Sequence, residues 1–135
     1  MGEKKKYSML VFSNNTEGME EEYNTWYAGQ HNHDLLRIDG FVGCRFYKLG
    51  EIQLSKNMER QYKYLMIWDI ETDDLESVCE DIEKRMGDGR TVFSASFDKN
   101  YFDYMATPIT KYVTAEEVNG KTVDEVLSIS ELNWK

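Results

Sequence analysis

Both histidines of the chain, His31 and His33, lie two positions apart just after a Trp26-Tyr27 pair, in the stretch WYAGQHNHDLL. An imidazole titrates near neutrality, so either ring could move a proton, accept a hydrogen bond or hold a metal. Their spacing separates them. On a helix, His31 lies four residues after Tyr27 and continues the face that Met19, Tyr23, Trp26 and Tyr27 define. His33 falls roughly 200° further round and should face solvent. Histidines that clamp a metal from one helix need a spacing of three or four, so no metal site is expected. For His31 two readings stand side by side. It is a helix-end histidine, favoured by the negative end of the dipole and hydrogen-bonded to a backbone carbonyl or to Asp34. Alternatively it is a general acid/base, or a substrate hydrogen-bonding group, at the mouth of a cleft between helices and sheet.

Aromatic residues are plentiful at 13% of the chain. Tyr23, Trp26, Tyr27, Tyr62, Tyr64, Trp68, Phe102 and Tyr104 can all serve as core. Buried Tyr and Trp nevertheless need partners for their O–H and N–H groups, and several on facing elements can line an apolar pocket with polar points. Such a pocket suits a planar aromatic or polyketide-like molecule, and its expected lining is Trp26, Tyr27, Asp34, Tyr64, Trp68 and Tyr104. Arg45 is the one cation in a mostly apolar run. It either binds a substrate carboxylate or enolate, or pairs with Asp69 or Asp103 across the sheet. Cys44 and Cys79 are too few for a disulfide framework or metal knuckle and read as small core residues. The glycines of GDGR (residues 87–90) follow a helix, whereas phosphate loops precede one.

The elements that must position these groups are legible in the patterning. Tyr7 to Ser13 is apolar enough for a buried strand. Thr16 can cap a helix with Glu17 and Glu20 in its first turn. Asp39-Gly40 marks a turn into a second strand, Phe41 to Leu49, and residues 50–60 read as a hairpin loop. Residues 61–70 form a third strand, with Tyr62, Tyr64, Met66 and Trp68 on one face and Leu65 and Ile67 on the other. Asp73 and Glu76 predict a capped helix with the apolar stripe Leu75, Val78, Cys79, Ile82 and Met86, ended by Gly87 and Gly89. RTVFSASFDKN is a short strand or an ordered loop. Residues 101–110 form the fourth strand, with Pro108 at its end or edge. Thr114 with Glu117 and Thr122 with Glu125 then cap two short helical turns.

This order, β-α-β-β-α-β, is the α+β ferredoxin-like split βαβ: a four-stranded antiparallel sheet with two helices on one face. Residues 1–112 form that domain. Residues 113–135 form an extension whose Leu127, Ile129, Leu132 and Trp134 can dock on the domain or on its partner. The other face of the sheet is apolar and lacks a cover, so sheet-to-sheet homodimerisation is expected.

Sixteen basic against 25 acidic residues give a formal charge of −9. Such a surface repels phosphate backbones and anionic lipid, so neither nucleic acid nor membrane is an expected partner. No apolar run approaches the roughly 18 residues of a membrane span. The start MGEKKK fits neither a secretory leader nor a myristoylation signal, and a reduced, cytoplasmic protein is expected.

The stretch EEEYNTWYAGQHNHDLLRIDGFVGCRFYKL, residues 20–49, resembles the opening of dimeric α/β-barrel proteins, in particular the EthD-like branch. There the first helix reads Trp-Tyr, three variable residues, His, then Pro-Asp-Leu and a Pro-Gly-Phe turn. Trp26-Tyr27, His31, Asp34-Leu35 and Gly40-Phe41 match, while His33 and Asp39 replace the two prolines. The strand YFDYMATPIT is similar to the family's last strand, and the resemblance covers roughly residues 7–112. It implies a dimeric α/β barrel and strengthens the acid/base reading of His31. Members include cofactor-free monooxygenases on polyphenols, polyketide cyclases, isomerases and haem enzymes, and others, EthD among them, with an accessory or unknown role. Haem needs an axial ligand at the centre of the sheet, and both histidines here lie on the first helix, so no cofactor is expected. The expected function is a cofactor-free enzyme on an aromatic or polyketide-like molecule, or a non-catalytic binder with the same pocket.

Overall fold

The computed structural model describes residues 2–135. Strands β1 (Lys5–Ser13), β2 (Phe41–Lys48), β3 (Tyr64–Thr72) and β4 (Phe102–Ala106) form one sheet in the order β2-β3-β1-β4. Every neighbouring pair is antiparallel. Helix α1 (Glu20–Trp26) runs through a π-helical turn (Tyr27–His31) into α2 (Asn32–Leu35). Helix α3 is Leu75–Asp88, and α4 (Ala115–Val118) and α5 (Val123–Ser130) follow the sheet.

Alternation along β3 fixes which side is the core. Tyr64, Met66, Trp68 and Ile70 are buried, while Leu65 and Ile67 are half-buried and Asp69 is exposed. Pairing puts Met9 beside Trp68 and Val11 beside Met66, so these share the inner face with Phe46, Cys44 and Met105. Tyr23, Tyr27, Leu35, Val78 and Ile82 come down on that face from the helices and complete the core. Their rings interlock: Tyr27 stacks on Phe46 at 4.3 Å and Tyr23 meets Tyr64 at 5.0 Å between centroids. The Tyr23 hydroxyl hydrogen-bonds the buried Ser13 hydroxyl, and Tyr64 Oη accepts from Asn24 at 3.1 Å.

The opposite face has no cover. Leu10, Phe12, Leu65, Ile67, Arg45, Tyr47, Phe102 and Tyr104 lie on it by register, and Tyr104 is 64% exposed. Tyr62 joins them. Instead of extending the inner face of β3, it precedes the strand and packs on Phe12 and Phe102, at 6.1 and 5.0 Å.

Other boundaries differ in instructive ways. Thr16 does not cap α1: its hydroxyl donates to the Ala95 carbonyl, and Met19 occupies the cap position without a side-chain bond. The long-range contact to the 91–101 loop outweighs a local cap. At α3 the cap is Asp74, accepting from Ser77 N–H at 3.1 Å, one residue later than Asp73. Gly87 continues that helix, and Gly89 ends it at φ 86°, the left-handed conformation that closes helices with least strain. The ambiguous RTVFSASFDKN segment is an ordered loop, tied to residues 14–16 by an isolated bridge between Asn15 and Phe97 and by hydrogen bonds from Thr16 to Ser96 and Ala95 and from Asp98 to Asn14. β4 spans only Phe102–Ala106, stopping short of Pro108, which cannot donate to a ladder. Both tail helices carry full capping boxes, Thr114 with Glu117 and Thr122 with Glu125. Among the described residues no helix is long and apolar enough to cross a membrane.

Candidate active site

A cavity of about 560 Å3 opens between α3 and the inner face of the sheet. Its floor is Met9, Val11 and Met105, its helical wall Cys79, Ile82 and Met86, and its lid Phe93, Ser94, Phe97 and Tyr101 of the loop before β4. Tyr27, His31 and Trp68 form the back, and Glu83, Lys99 and Asp103 add charge to the lining. Two other recesses, beside α3 and beside Asn14, are more open to solvent and rich in charged residues, and they lack this apolar enclosure.

The first helix builds the back wall through its irregular turn. Asn32 N–H reaches back five residues to the Tyr27 carbonyl, and π turns of this kind recur at functional sites. The His31 ring stacks on Trp26 at 4.6 Å, meets Tyr27 edge-on at 4.9 Å and faces Trp68 at 5.7 Å. His31 is only 5% exposed, and its Nδ1 is buried with no hydrogen-bond partner. Tyr27 Oη and Trp68 Nε1 are buried as well; the indole N–H lies close enough to the phenol to oppose the upward push of burial on it, but the two do not meet in a well-formed hydrogen bond. An unpaired buried polar group costs about 1–3 kcal/mol, and the three side chains that carry these atoms all line the cavity. Burial lowers the His31 pKa to about 4, against a smaller opposing pull from Asp34. Its ring is therefore neutral at pH 7. Burial, reinforced by Tyr23, pushes the Tyr27 phenol well upward, so it stays protonated and is a donor.

Trp26 and Asp34 act one layer behind. Trp26 Nε1 donates to the Val92 carbonyl at 2.9 Å, while Asp34 Oδ2 accepts from the Val92 N–H at 2.9 Å. Both ends of one residue are thus pinned to the first helix, and the lid follows directly. Burial alone would raise the Asp34 carboxyl, but the Val92 amide, His33 and Gln30 outweigh it and hold the pKa below the ordinary value. His33 is exposed, as its place on the helix requires, and its Nδ1 lies 3.0 Å from Asp34 Oδ1. Asp34→Ala is expected to strand the Val92 N–H and cost about 1–3 kcal/mol. Urea unfolding gives the loss, and faster hydrogen exchange confined to residues 91–97 would show that the lid is what loosens.

Of the residues singled out by sequence, Tyr27, His31 and Trp68 meet at the cavity. Trp26 and Asp34 hold its lid. Tyr64 sits in the core, bonded to Asn24 and away from the lining. Arg45 and Tyr104 are on the opposite face of the sheet, since Arg45 pairs with Ile67 and Tyr104 with Leu10. Arg45 has no salt bridge to Asp69 or Asp103 among the described residues, and Asp103 faces the cavity side. Sequence reasoning missed Asp103, Lys99 and the lid aromatics Phe93, Phe97 and Tyr101. The alternation of β4, with Phe102 and Tyr104 outward, would have turned Asp103 inward had the open face been assigned first. Among the described residues no group of three His, Cys, Asp or Glu side chains could hold a metal, and Cys44 and Cys79 are free thiols.

A four-stranded antiparallel sheet with helices on one face and a cavity beneath them defines an α+β ferredoxin-like protein. No family model matches the sequence, and no curated protein does. Solved structures do. The chain is similar to a hypothetical protein of Arabidopsis thaliana, at 16% identity and a TM-score of 0.56, over 84% of this chain and 97% of that one. A DABB family protein with a ferredoxin-like fold from Mesorhizobium loti aligns at 10% identity and TM-score 0.53, over 76% and 96%. An EthD family protein from Bacillus halodurans aligns at 16% and 0.52, over 76% and 98%. The fold is the one that DABB and EthD proteins share, as the stretch around Trp26, His31 and Gly40-Phe41 implies.

Proposed function

We propose that this chain binds a planar aromatic or polyketide-like molecule in the cavity behind Tyr27, His31 and Trp68, and acts on it without a cofactor. The observation that carries this is the clustering of three unpartnered buried polar atoms at one apolar cavity. Tyr27 and Trp68 supply an O–H and an N–H for a carbonyl or phenolate oxygen, which suits developing negative charge. His31, neutral in the empty site, accepts a proton from the ligand. Anionic charge on the ligand would raise the imidazole pKa from about 4 toward the range useful for proton transfer. A non-catalytic binder is the second reading, favoured by that same low pKa, since so weak a base does little by itself.

The working unit on this proposal is a homodimer joined through the open sheet face, whose Leu10, Phe12, Leu65 and Ile67 are only half-buried in one chain. Contiguous apolar surface of this kind is rarely left in water.

The test is a thermal-shift and calorimetric screen of phenols, aromatic acids and β-diketones against wild-type protein and Tyr27→Phe. A ligand of this class is expected to bind the wild type at least tenfold more tightly. Equal binding to both proteins would remove the Tyr27 hydroxyl from recognition, and no binding at all would refute the proposal. Any ligand found is then followed for product: conversion lost in His31→Gln supports an enzyme, and unchanged recovery of ligand supports the binder.

A further inference from the structure

We propose that Asp103 sets the specificity of the cavity, accepting a hydrogen bond from a hydroxyl at one end of a ligand whose carbonyl faces Tyr27 and Trp68. The ligand class is then a hydroxyaryl ketone, with an acceptor at one end and a donor at the other. This rests on the binding reading of the preceding section.

Register fixes the place of the carboxylate. On the inner face one row runs Phe46, Met66, Val11 and Asp103 from β2 to β4, and the next runs Cys44, Trp68, Met9 and Met105. Asp103 is the one charged residue in the two rows. Trp68 on β3 and Asp103 on β4 stand on either side of β1, whose Met9 and Val11 floor the cavity between them. Tyr27 comes down beside Trp68, ring stacked on ring at 6.4 Å. Donors thus gather on the β3 side and the carboxylate stands on the β4 side. Two strand spacings are roughly 10 Å. With a hydrogen bond of about 2.8 Å at each end, one aromatic ring fits between the two ligand oxygens.

The two ends differ in kind. Tyr27 and Trp68 present an O–H and an N–H, whereas a carboxylate only accepts. The Asp103 charge is felt across the cavity, adding to the upward push on the Tyr27 phenol and on the Cys79 thiol. Among the described residues Asp103 forms no ion pair, and neither do Glu83 and Lys99, the other charges in the lining. A ligand carboxylate at this end would meet two like charges against one ammonium. A hydroxyl there donates instead, and such charge-assisted bonds are the strong ones.

The experiment is calorimetric binding of 4′-hydroxyacetophenone and of acetophenone to wild type, Asp103→Ala and Asp103→Asn. In the wild type the hydroxyl is expected to tighten binding by about tenfold or more. In Asp103→Ala that advantage is expected to fall below threefold, while acetophenone binds as it does to wild type. Asp103→Asn, which keeps the shape and a neutral acceptor, is expected to retain part of the advantage, and it serves alone if the alanine variant does not fold. A merely structural role for Asp103 would weaken both ketones alike. That result, a hydroxyl advantage undiminished in the variants, or no advantage in the wild type overturns the assignment and leaves the cavity reading standing. A wild type that binds neither ketone overturns it too, and the cavity reading falls with it when the wider screen of phenols, aromatic acids and β-diketones is also blank.

Discussion

Between pH 6.5 and pH 4 the wild-type protein is expected to lose about 3 kcal/mol of stability that His31→Gln does not lose. The folded-state pKa of about 4 lies below the ordinary 6.5 because burial disfavours the charged ring. In that interval the unfolded chain holds the extra proton, so stability rises with pH. The His31 contribution is thus complete above about pH 6.5 and falls as acid protonates the unfolded imidazole, at about 1.4 kcal/mol per pH unit. Below pH 4 the folded ring is protonated too, and the slope vanishes. Asp34, held below its ordinary value, titrates under this window and adds its own loss at lower pH. Urea midpoints at pH 7, 5.5 and 4.5 for both proteins give the difference. Parallel curves would mean that the imidazole finds a partner in solution, and the case for a vacant acceptor would fall with it.

Leu10→Asp is expected to give a folded monomer, with a dimer dissociation constant raised at least a hundredfold. Leu10 sits on the interior strand β1, flanked on the open face by Ile67 of β3 and Tyr104 of β4. It is half-buried in the single chain, so a carboxylate there keeps contact with water and the fold survives. In a sheet-to-sheet dimer, symmetry buries two such charges near the centre. Burying an unpaired carboxylate costs several kcal/mol. Sedimentation against wild type reads the outcome, and a variant that dimerises normally would place the interface elsewhere.

The fold was legible where one face of an element was strongly marked. Alternation along residues 64–70, the stripe of α3 and the Thr114 and Thr122 capping boxes all reflect local physics, and each element formed there. Local rules failed where a distant contact competed. Thr16 gave up its cap for Ala95, and Tyr62 left the inner face to pack on Phe12 and Phe102. The site was half legible. Helical spacing brought Tyr27 and His31 together, but only the folded chain shows that Trp26 and Asp34 grip Val92 from both sides. Arg45 illustrates the limit. Its charge stood out in an apolar strand, yet the side of the sheet it occupies depends on a bulge between Phe41 and Gly43 that no periodicity reveals.

Whether a ligand enters behind Tyr27, His31 and Trp68 is read most directly from the tryptophan indole protons. Three such signals exist, and each reports a different place. Trp26 is bonded to the Val92 carbonyl, Trp134 stands on the exposed C-terminal extension, and Trp68 lies unpartnered at the cavity. Titration with the tightest phenol or aromatic acid from the screen is expected to move the Trp68 indole resonance downfield to saturation, as its N–H gains an acceptor, while Trp134 stays fixed. A ligand that binds with Trp68 unmoved, or that shifts Trp134 alone, would show that the cavity is not where this protein meets small molecules.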